Sequence, residues 1–280
     1  MESILDIIQK RHSVRSYSDR EIEKNKIIEL QQYFNSNRKG PFGSSVRFQL
    51  VNASSYNEDE LKKFGTYGMI RGARSYIVGT VLPNDYALED FGYCMEKNIL
   101  RAIGLGLGTC WLGGSLNRRT FAETMGIRKD EIIAAVTPVG YPEPGSKGTL
   151  VSRMIVFGIG SKKRKAFEDI FYNTDGKPLT SKNCENYTAA LEAVRLGPSA
   201  GNLQPWRIVK ENDKFNFHFY MEENTAYNKS RDVHLQNIDM GIAMCHFELA
   251  AKELNLKGKW EIDKPLIDMN RLKYTVSWMG

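Results

Sequence analysis

The feature that most constrains this 280-residue chain is that it resembles itself. Shifted by 149 positions without a gap, Asp90 falls on Asp239, Gly92 on Gly241, Met95 on Met244 and Leu100 on Leu249. Ala102 falls on Ala251, Leu105 on Leu254, Leu107 on Leu256 and Trp111 on Trp260. Seven identities in the 19 positions from 90 to 108 exceed the roughly one in fifteen expected by chance at ordinary composition. Upstream, Val46-Arg47-Phe48 matches Trp206-Arg207-Ile208 in type, and downstream "EIIAAVTPVG" resembles "RLKYTVSWMG" at the chain end. The order helix, loop, strand, long helix, turn, strand thus occurs twice. Two unrelated amphipathic helices that share Leu and Ala by composition would not carry the match on to a tryptophan. The period is far longer than that of a solenoid. Duplication at this scale implies a fused dimer, one chain imitating two subunits about a pseudo-two-fold axis.

Local patterns fill in the halves. Ser3-Ile4-Leu5-Asp6 is a helix start with a capping pattern, and Ile4, Leu5 and Ile8 form its apolar face. A second helix is expected over Asn25–Phe34, and strands over Val46–Val51 and Ser75–Leu82. Phe91, Met95, Ile99 and Ala102 recur at helical spacing, which predicts a long buried helix from about Glu89 to Gly104. An irregular connection runs from Pro142 to about Lys182 and includes the turn signal "YNTDGKP". The first half is expected over residues 1–182 and a shortened second half over 183–280.

Composition removes several function classes. Lys plus Arg is 39 and Asp plus Glu is 33, a formal charge of +6. That balance favours anionic ligands slightly, but no basic block is interleaved with aromatics, so no nucleic-acid partner is expected. The densest basic run, Lys162-Lys163-Arg164-Lys165, is by default a solvated face. None of Cys94, Cys110, Cys184 and Cys245 forms a C-x-x-C pair or has a His at zinc spacing, so no metal is expected. Reduced thiols in a reducing, cytoplasmic setting are the simple reading. No apolar run reaches about 18 residues, so no membrane span is expected.

Three stretches carry chemistry. "RHSVR" (Arg11 to Arg15) sets two guanidinium groups and a hydroxyl within five residues. If it is extended, Arg11, Ser13 and Arg15 point to one side, a set suited to phosphate, although R-x-S-x-R is also common on plain surfaces. "GLGTCWLGG" (Gly106 to Gly114) follows the long helix. It reads either as a helix cap and tight turn or, at Gly113-Gly114, as backbone that can approach a flat ligand. "GPSAGNLQPW" (Gly197 to Trp206) ends a helix, then offers short polar groups at Ser199 and Asn202 and an amide at Gln204. A Pro/Gly-rich turn with a core tryptophan fits that string equally well.

Together and in this order, the three stretches resemble the nitroreductase family of flavoproteins. "RHSVRSY" resembles the family's R-x-S-x-R phosphate motif, "GPSAGNLQPW" its A-P-S-A-x-N-x-Q-P-W signature at all but the first position, and "GLGTCWLGG" its glycine-rich turn. The fused arrangement resembles the branch in which one chain carries a pseudo-dimer. The resemblance implies an α+β fold of two tandem halves, each with a central antiparallel or mixed sheet and flanking helices. It implies that Arg11, Ser13 and Arg15 hold the phosphate of FMN, with His12 adding backbone or ring contacts and Lys162 or Arg164 joining them. It implies that Gly113 and Gly114 pass over the isoalloxazine. Pro198, Ser199, Ala200, Gly201 and Asn202, from the other half, would pack on the ring and ribityl chain, with Gln204 a further contact.

The two halves depart from the family in complementary ways. The first reads "NRKGPFGSSVRF" where the P-S-A-x-N core belongs. The second has "SKNCENYTAA" in place of R-x-S-x-R and "LKGKWEI" in place of the double glycine. One composite site is therefore expected, with one FMN per chain and a monomer that acts as its own dimer. The implied activity is a ping-pong oxidoreductase: NAD(P)H delivers hydride to flavin N5, and a nitroaromatic, quinone or related small acceptor takes the electrons. The alternatives are a flavin-binding or sensing protein without turnover, or an enzyme of this fold with a dedicated substrate. No catalytic side chain is assigned. Arg71 and Arg74 are weighed as partners of flavin N1/O2 but read better as surface residues, and His218, His234 and His246 read as structural.

Overall fold

A computed structural model describes residues 2–53, 69–114, 118, 121–122, 127–128, 130–145, 163–225, 233–262, 269 and 272–280. The chain divides into two compact units, one formed by residues 10–161 and the other by residues 1–9 together with 162–280. The division expected at residue 182 therefore moves to 161/162, and the first nine residues go with the second half. Hydrogen bonding supplies the reason. Strand β5 (Phe171–Asn173) pairs in parallel with β6 (Trp206–Lys210), which draws the connecting segment into the later unit. In the same unit, Ser3 Oγ and the Ile4 N–H both donate to the Glu253 carboxylate, fixing the start of helix α1 (Ile4–Lys10).

In the unit of residues 10–161, helix α2 (Lys24–Ser36) precedes strands β1 (Val46–Asn52) and β2 (Ser75–Val81). Helix α3 (Ala87–Gly104) follows, then β3 (Gly108–Thr109) and β4 (Ile132–Gly140). The strands form one antiparallel sheet in the order β1-β2-β4-β3. β2 and β4 are buried except at their first residues, so both faces of the sheet centre are covered, as their near-continuous apolar runs require. Phe91, Cys94, Met95, Ile99 and Ala102 all lie on the buried side of α3, as the helical spacing predicts.

The other unit repeats the plan. Helix α4 (Thr188–Leu196) precedes β6 and β7 (Phe217–Met221); helix α5 (Leu235–Glu253) follows, then β8 (Lys259–Glu261) and β9 (Lys273–Met279). The sheet order is β5-β6-β7-β9-β8, the order of the first sheet with β5 added at one edge. Its core gathers on Phe247, whose ring centroid lies 5.1–6.0 Å from those of Tyr187, Phe217, Phe219, Trp260 and Trp278.

The duplication reaches individual hydrogen bonds. At the end of α3, Leu107 N–H donates to Ala102 O at 3.0 Å and Gly106 N–H to Ile103 O at 2.8 Å. At the end of α5, Leu256 N–H donates to Ala251 O at 2.9 Å and Asn255 N–H to Lys252 O at 3.1 Å, each pair displaced by the same 149 positions. Gly106 (φ 79°) and Asn255 (φ 58°) both adopt the left-handed conformation that closes such a cap. The repeated tryptophans are anchored alike: Trp111 Nε1 donates to Glu96 at 2.7 Å and Trp260 Nε1 to Glu248 at 2.6 Å. These carboxylates are not themselves repeat partners, since Glu96 falls on Cys245.

The loop before β1 is pinned by Asp90, whose two carboxylate oxygens accept the N–H groups of Phe42 at 2.9 Å and Ser44 at 2.8 Å. Gly40 lies so close that an added Cβ would sit 2.2 Å from Asp90 Cγ. Gly40→Ala is expected to destabilise the chain by about 1–3 kcal/mol, because a buried, doubly bonded carboxylate must shift. Urea denaturation checks this, with Gly145→Ala as the control, since nothing crowds that position although its φ of 67° adds strain of its own.

Candidate functional site

The R-x-S-x-R segment is extended, as its chemistry requires. Ser13 bridges Thr109 of β3 in parallel, and the Val14 N–H donates to Thr109 O at 2.8 Å. Tyr17 N–H donates to Arg71 O, and Arg71 N–H to Arg15 O, each at 2.9 Å. Alternation then separates the side chains. Val14 turns into the core, packed so tightly on β3 that a Cβ at Gly108 would meet its Cγ2 at 2.7 Å. Arg11, Ser13 and Arg15 converge instead on Cys110. Burial pushes this thiol's pKa up, while Arg15, a hydrogen bond with Ser13 and Arg11 pull it the other way.

The cluster sets two guanidinium groups near one buried carboxylate, Glu96, without a direct pair. Among the described residues, neither Arg11 nor Arg15 forms an ion pair with a carboxylate, and Arg11 Nε is buried without a hydrogen-bond partner. Burial lowers the Arg11 pKa, and the buried Glu96 carboxylate opposes that shift. Two guanidinium groups and a hydroxyl on one side of an extended segment, with an orphaned N–H among them, fit a phosphate group.

The glycine-rich turn belongs to the same unit and continues from the strand that holds the motif. Cys110 N–H donates to Thr137 Oγ1 at 3.0 Å, and Leu112 exchanges two 2.9 Å backbone bonds with Val136. Arg118 Nη2 donates to Gly113 O at 2.9 Å and its Nε to Ile133 O at 2.9 Å, clamping the turn to β4. Gly113 is half-buried and Gly114 exposed, so backbone rather than side chain faces out at this point. Glu96 links the two stretches: it holds the Trp111 indole and supports the charge on Arg11.

In the other unit, the P-S-A-G-N-L-Q loop is locked in an unusual conformation. Gly201 (φ 59°), Asn202 (φ 56°) and Gln204 (φ 49°) are all left-handed, a strain tolerated where surrounding bonds over-determine it. Those bonds are present. Ser199 Oγ accepts the Gln204 N–H at 2.9 Å, and Asp239 Oδ1 accepts the Ala200 N–H at 2.9 Å. Arg164 Nη1 donates to Asn202 Oδ1 at 2.7 Å and its Nη2 to Leu196 O at 3.2 Å. Asn202 Nδ2 donates to Lys163 O at 2.8 Å. Gln204, 3% exposed, accepts the Lys165 N–H at 2.8 Å and donates to Asn202 O at 3.1 Å, so its amide faces the basic run. Pro198, Ser199 and Ala200 are half-buried and Gly201 is exposed.

The structure thus gathers Arg11, Ser13, Arg15, Gly113 and Gly114 in one unit and Arg164, Ser199, Ala200, Asn202 and Gln204 in the other. His12 stands apart: exposed, with Nδ1 2.9 Å from Lys10 O. Lys162 lies outside the described residues. Arg71 and Arg74 are exposed, and His246 and His218 are buried on Ala193 O (2.8 Å) and Ser277 Oγ (2.7 Å). Sequence reasoning missed Glu96, Cys110 and Asp239 as site residues; of these only Asp239 carried a signal, its place in the repeat. All four cysteines are free and buried. Among the described residues no cluster could hold a metal ion, and no helix is long and apolar enough to cross a membrane.

Comparison with known proteins bears on the fold and the family. A family model described as "Putative TM nitroreductase" matches residues 3–251. A crystal structure of a "putative nitroreductase" from Thermotoga maritima MSB8 superposes with a TM-score of 0.61 at 19% identity, covering 99% of this chain and 94% of that one. A "Putative NADH dehydrogenase/NAD(P)H nitroreductase" of Archaeoglobus fulgidus is 28% identical over 156 residues, spanning 51% of this chain and 87% of the relative. An "FMN-dependent Nitroreductase" of Clostridium difficile R20291 is 23% identical over 52% of this chain and 92% of that one, with a TM-score of 0.41. With its fold shared and residues 3–251 matched, the chain belongs to the nitroreductase family that this model describes, a family of oxidoreductases.

Proposed function

We propose that the protein is an FMN-dependent NAD(P)H oxidoreductase that reduces nitroaromatic, quinone or related small acceptors, donor and acceptor reacting in turn. The observation that carries this reading is the Arg11–Ser13–Arg15 cluster: convergent, with no carboxylate paired directly to either guanidinium among the described residues although Glu96 acts on Arg11, and holding a buried N–H without a partner. Arg11 and Arg15 would take the phosphate oxygens and Ser13 would add a hydrogen bond. The backbone at Gly113 and Gly114 suits close approach by a flat ring, and the clamped Pro198–Asn202 loop offers a preformed surface for one. When bound, FMN supplies hydride acceptance and release at N5; the chain supplies orientation and charge. One FMN per chain follows from the asymmetry, since only the unit of residues 10–161 carries the phosphate motif and the double glycine.

Titration of the purified chain with FMN, followed by NADH or NADPH oxidation with menadione or a nitrofuran as acceptor, tests the reading. One flavin per chain and turnover with either nucleotide are expected. Two flavins per chain would overturn the single site, and a flavin that is bound but never reduced would identify a binding protein. Arg15→Ala and Ser13→Ala should each weaken FMN binding by about 1.5–3 kcal/mol, the worth of a hydrogen bond to a charged group. Riboflavin, which lacks the phosphate, should bind these variants and the wild type alike; equal losses for both ligands would remove the phosphate role.

A further inference from the structure

We propose that Asp239 is the positioning residue of the Pro198–Asn202 loop and that it acts as a neutral carboxylic acid, so that its ionisation releases the loop. The proposal rests on the FMN reading for its functional consequence but not for its geometry. Asp239 lies on α5, 2% exposed, and its Oδ1 accepts the Ala200 N–H at 2.9 Å. Its Oδ2 is buried with no hydrogen-bond partner. The repeat supplies a built-in comparison. Asp90, at the equivalent place on α3, is as deeply buried but spends both oxygens on backbone N–H groups two residues apart, those of Phe42 and Ser44.

The second loop cannot copy that arrangement in either direction. Two residues before Ala200 stands Pro198, which has no N–H. Two residues after it stands Asn202, whose N–H is already bonded to Ser199 O at 3.0 Å. An ionised Asp239 would therefore hold a buried charge against one donor, where desolvation is costly. Burial pushes its pKa up to about 8, and the Ala200 N–H is the one influence drawing it down.

Charged groups on the neighbouring elements are committed elsewhere. On α4, Arg195 pairs with Glu192; on β6, Arg207 pairs with Glu222 and Lys210 Nζ bonds Glu211 O; on β7, His218 meets Glu211. To ionise, Asp239 must bring water or a donor to the buried Oδ2, so the packing around it, of which the bonded loop is part, must open.

The sign follows directly. The group is neutral when folded and ionises near the usual carboxylate range when unfolded. The folded, loop-ordered state is thus favoured at low pH and weakens as pH rises toward and through the folded value. Between the two values loop order should fall about tenfold per pH unit, and above the folded value, where both forms are ionised, the dependence levels off.

The test compares wild type with Asp239→Asn, which keeps an Oδ1 acceptor and cannot ionise. The first readout needs no flavin: backbone amide exchange at Ala200 and Gln204, corrected for intrinsic rates, from about pH 6.5 to about pH 9.5. The second is the Kd for FMN over the same range. Wild type should lose amide protection by up to about tenfold per unit as pH rises toward about 8 and level off above it, with FMN affinity falling in the same direction. Asp239→Asn should be flat in both. A flat wild-type exchange profile overturns the proposal, and so does an Asp239→Asn profile that keeps the wild-type slope. If Asp239→Asn does not fold, the wild-type exchange profile alone decides. If the exchange behaves as expected but FMN does not bind, the positioning role stands and the cofactor reading fails. If FMN binds with no pH dependence and the exchange is flat, the reverse holds.

Discussion

A buried carboxylate on the long helix, catching the backbone of the loop that leads into the first sheet strand, is the contact on which each half is built. The helix is almost wholly interior, so a charged residue on it costs free energy unless its oxygens are satisfied. A loop with free N–H groups is what can satisfy them. Asp90 meets that need with both oxygens and Asp239 with one, and each holds the loop ahead of its following strand, β1 or β6. The same features follow it in both units: the strand order, the helix cap, and the tryptophan that returns to its helix through an indole hydrogen bond.

From this shared frame the halves have diverged toward different tasks. The first loop closes tightly over Asp90, with Gly40 allowing the approach. The second gives up one of the two donors, takes a proline at Pro198, and gains three left-handed residues locked by side chains from Ser199 to Gln204 and by Arg164. The phosphate motif shows the opposite bias. It exists only at Arg11–Arg15, where β3 provides an edge for an extended segment and Val14 locks the register. Each half has kept what its own packing could support.

Much of this was legible in the sequence because it depends on period and spacing. The helix from Glu89 to Gly104 was fixed by four apolar positions, the repeat by identities that proved to be the buried and capping residues, and the one-sided display of Arg11, Ser13 and Arg15 by strand alternation. What was not legible depends on distant partners. Nothing local in Phe171–Asn173 says that it will pair in parallel with β6, and nothing in Ser3 or Ile4 says that their donors will find Glu253. Gln204 was assigned to the flavin, and only the fold shows its amide oxygen taken up by the Lys165 N–H. Glu96 carries no local signal; its role arises where α3, Trp111 and Arg11 come within reach of one carboxylate.

The membership of residues 1–9 in the later unit has a consequence for how the chain comes to be folded. Topologically, residues 10–161 form a domain inserted into another whose two pieces are separated by that whole insertion. A chain made from its N-terminus completes the guest before the host has a single strand. Helix α1, seven residues long, is too short to persist alone, so it must wait unpaired until Glu253 has been synthesised. Closing that contact is among the most non-local events in the molecule, and contacts of this kind set slow folding steps. The segment directly after α1 is Arg11–Arg15. The phosphate cluster can thus assemble early on its own sheet, while the backbone entering it is anchored last.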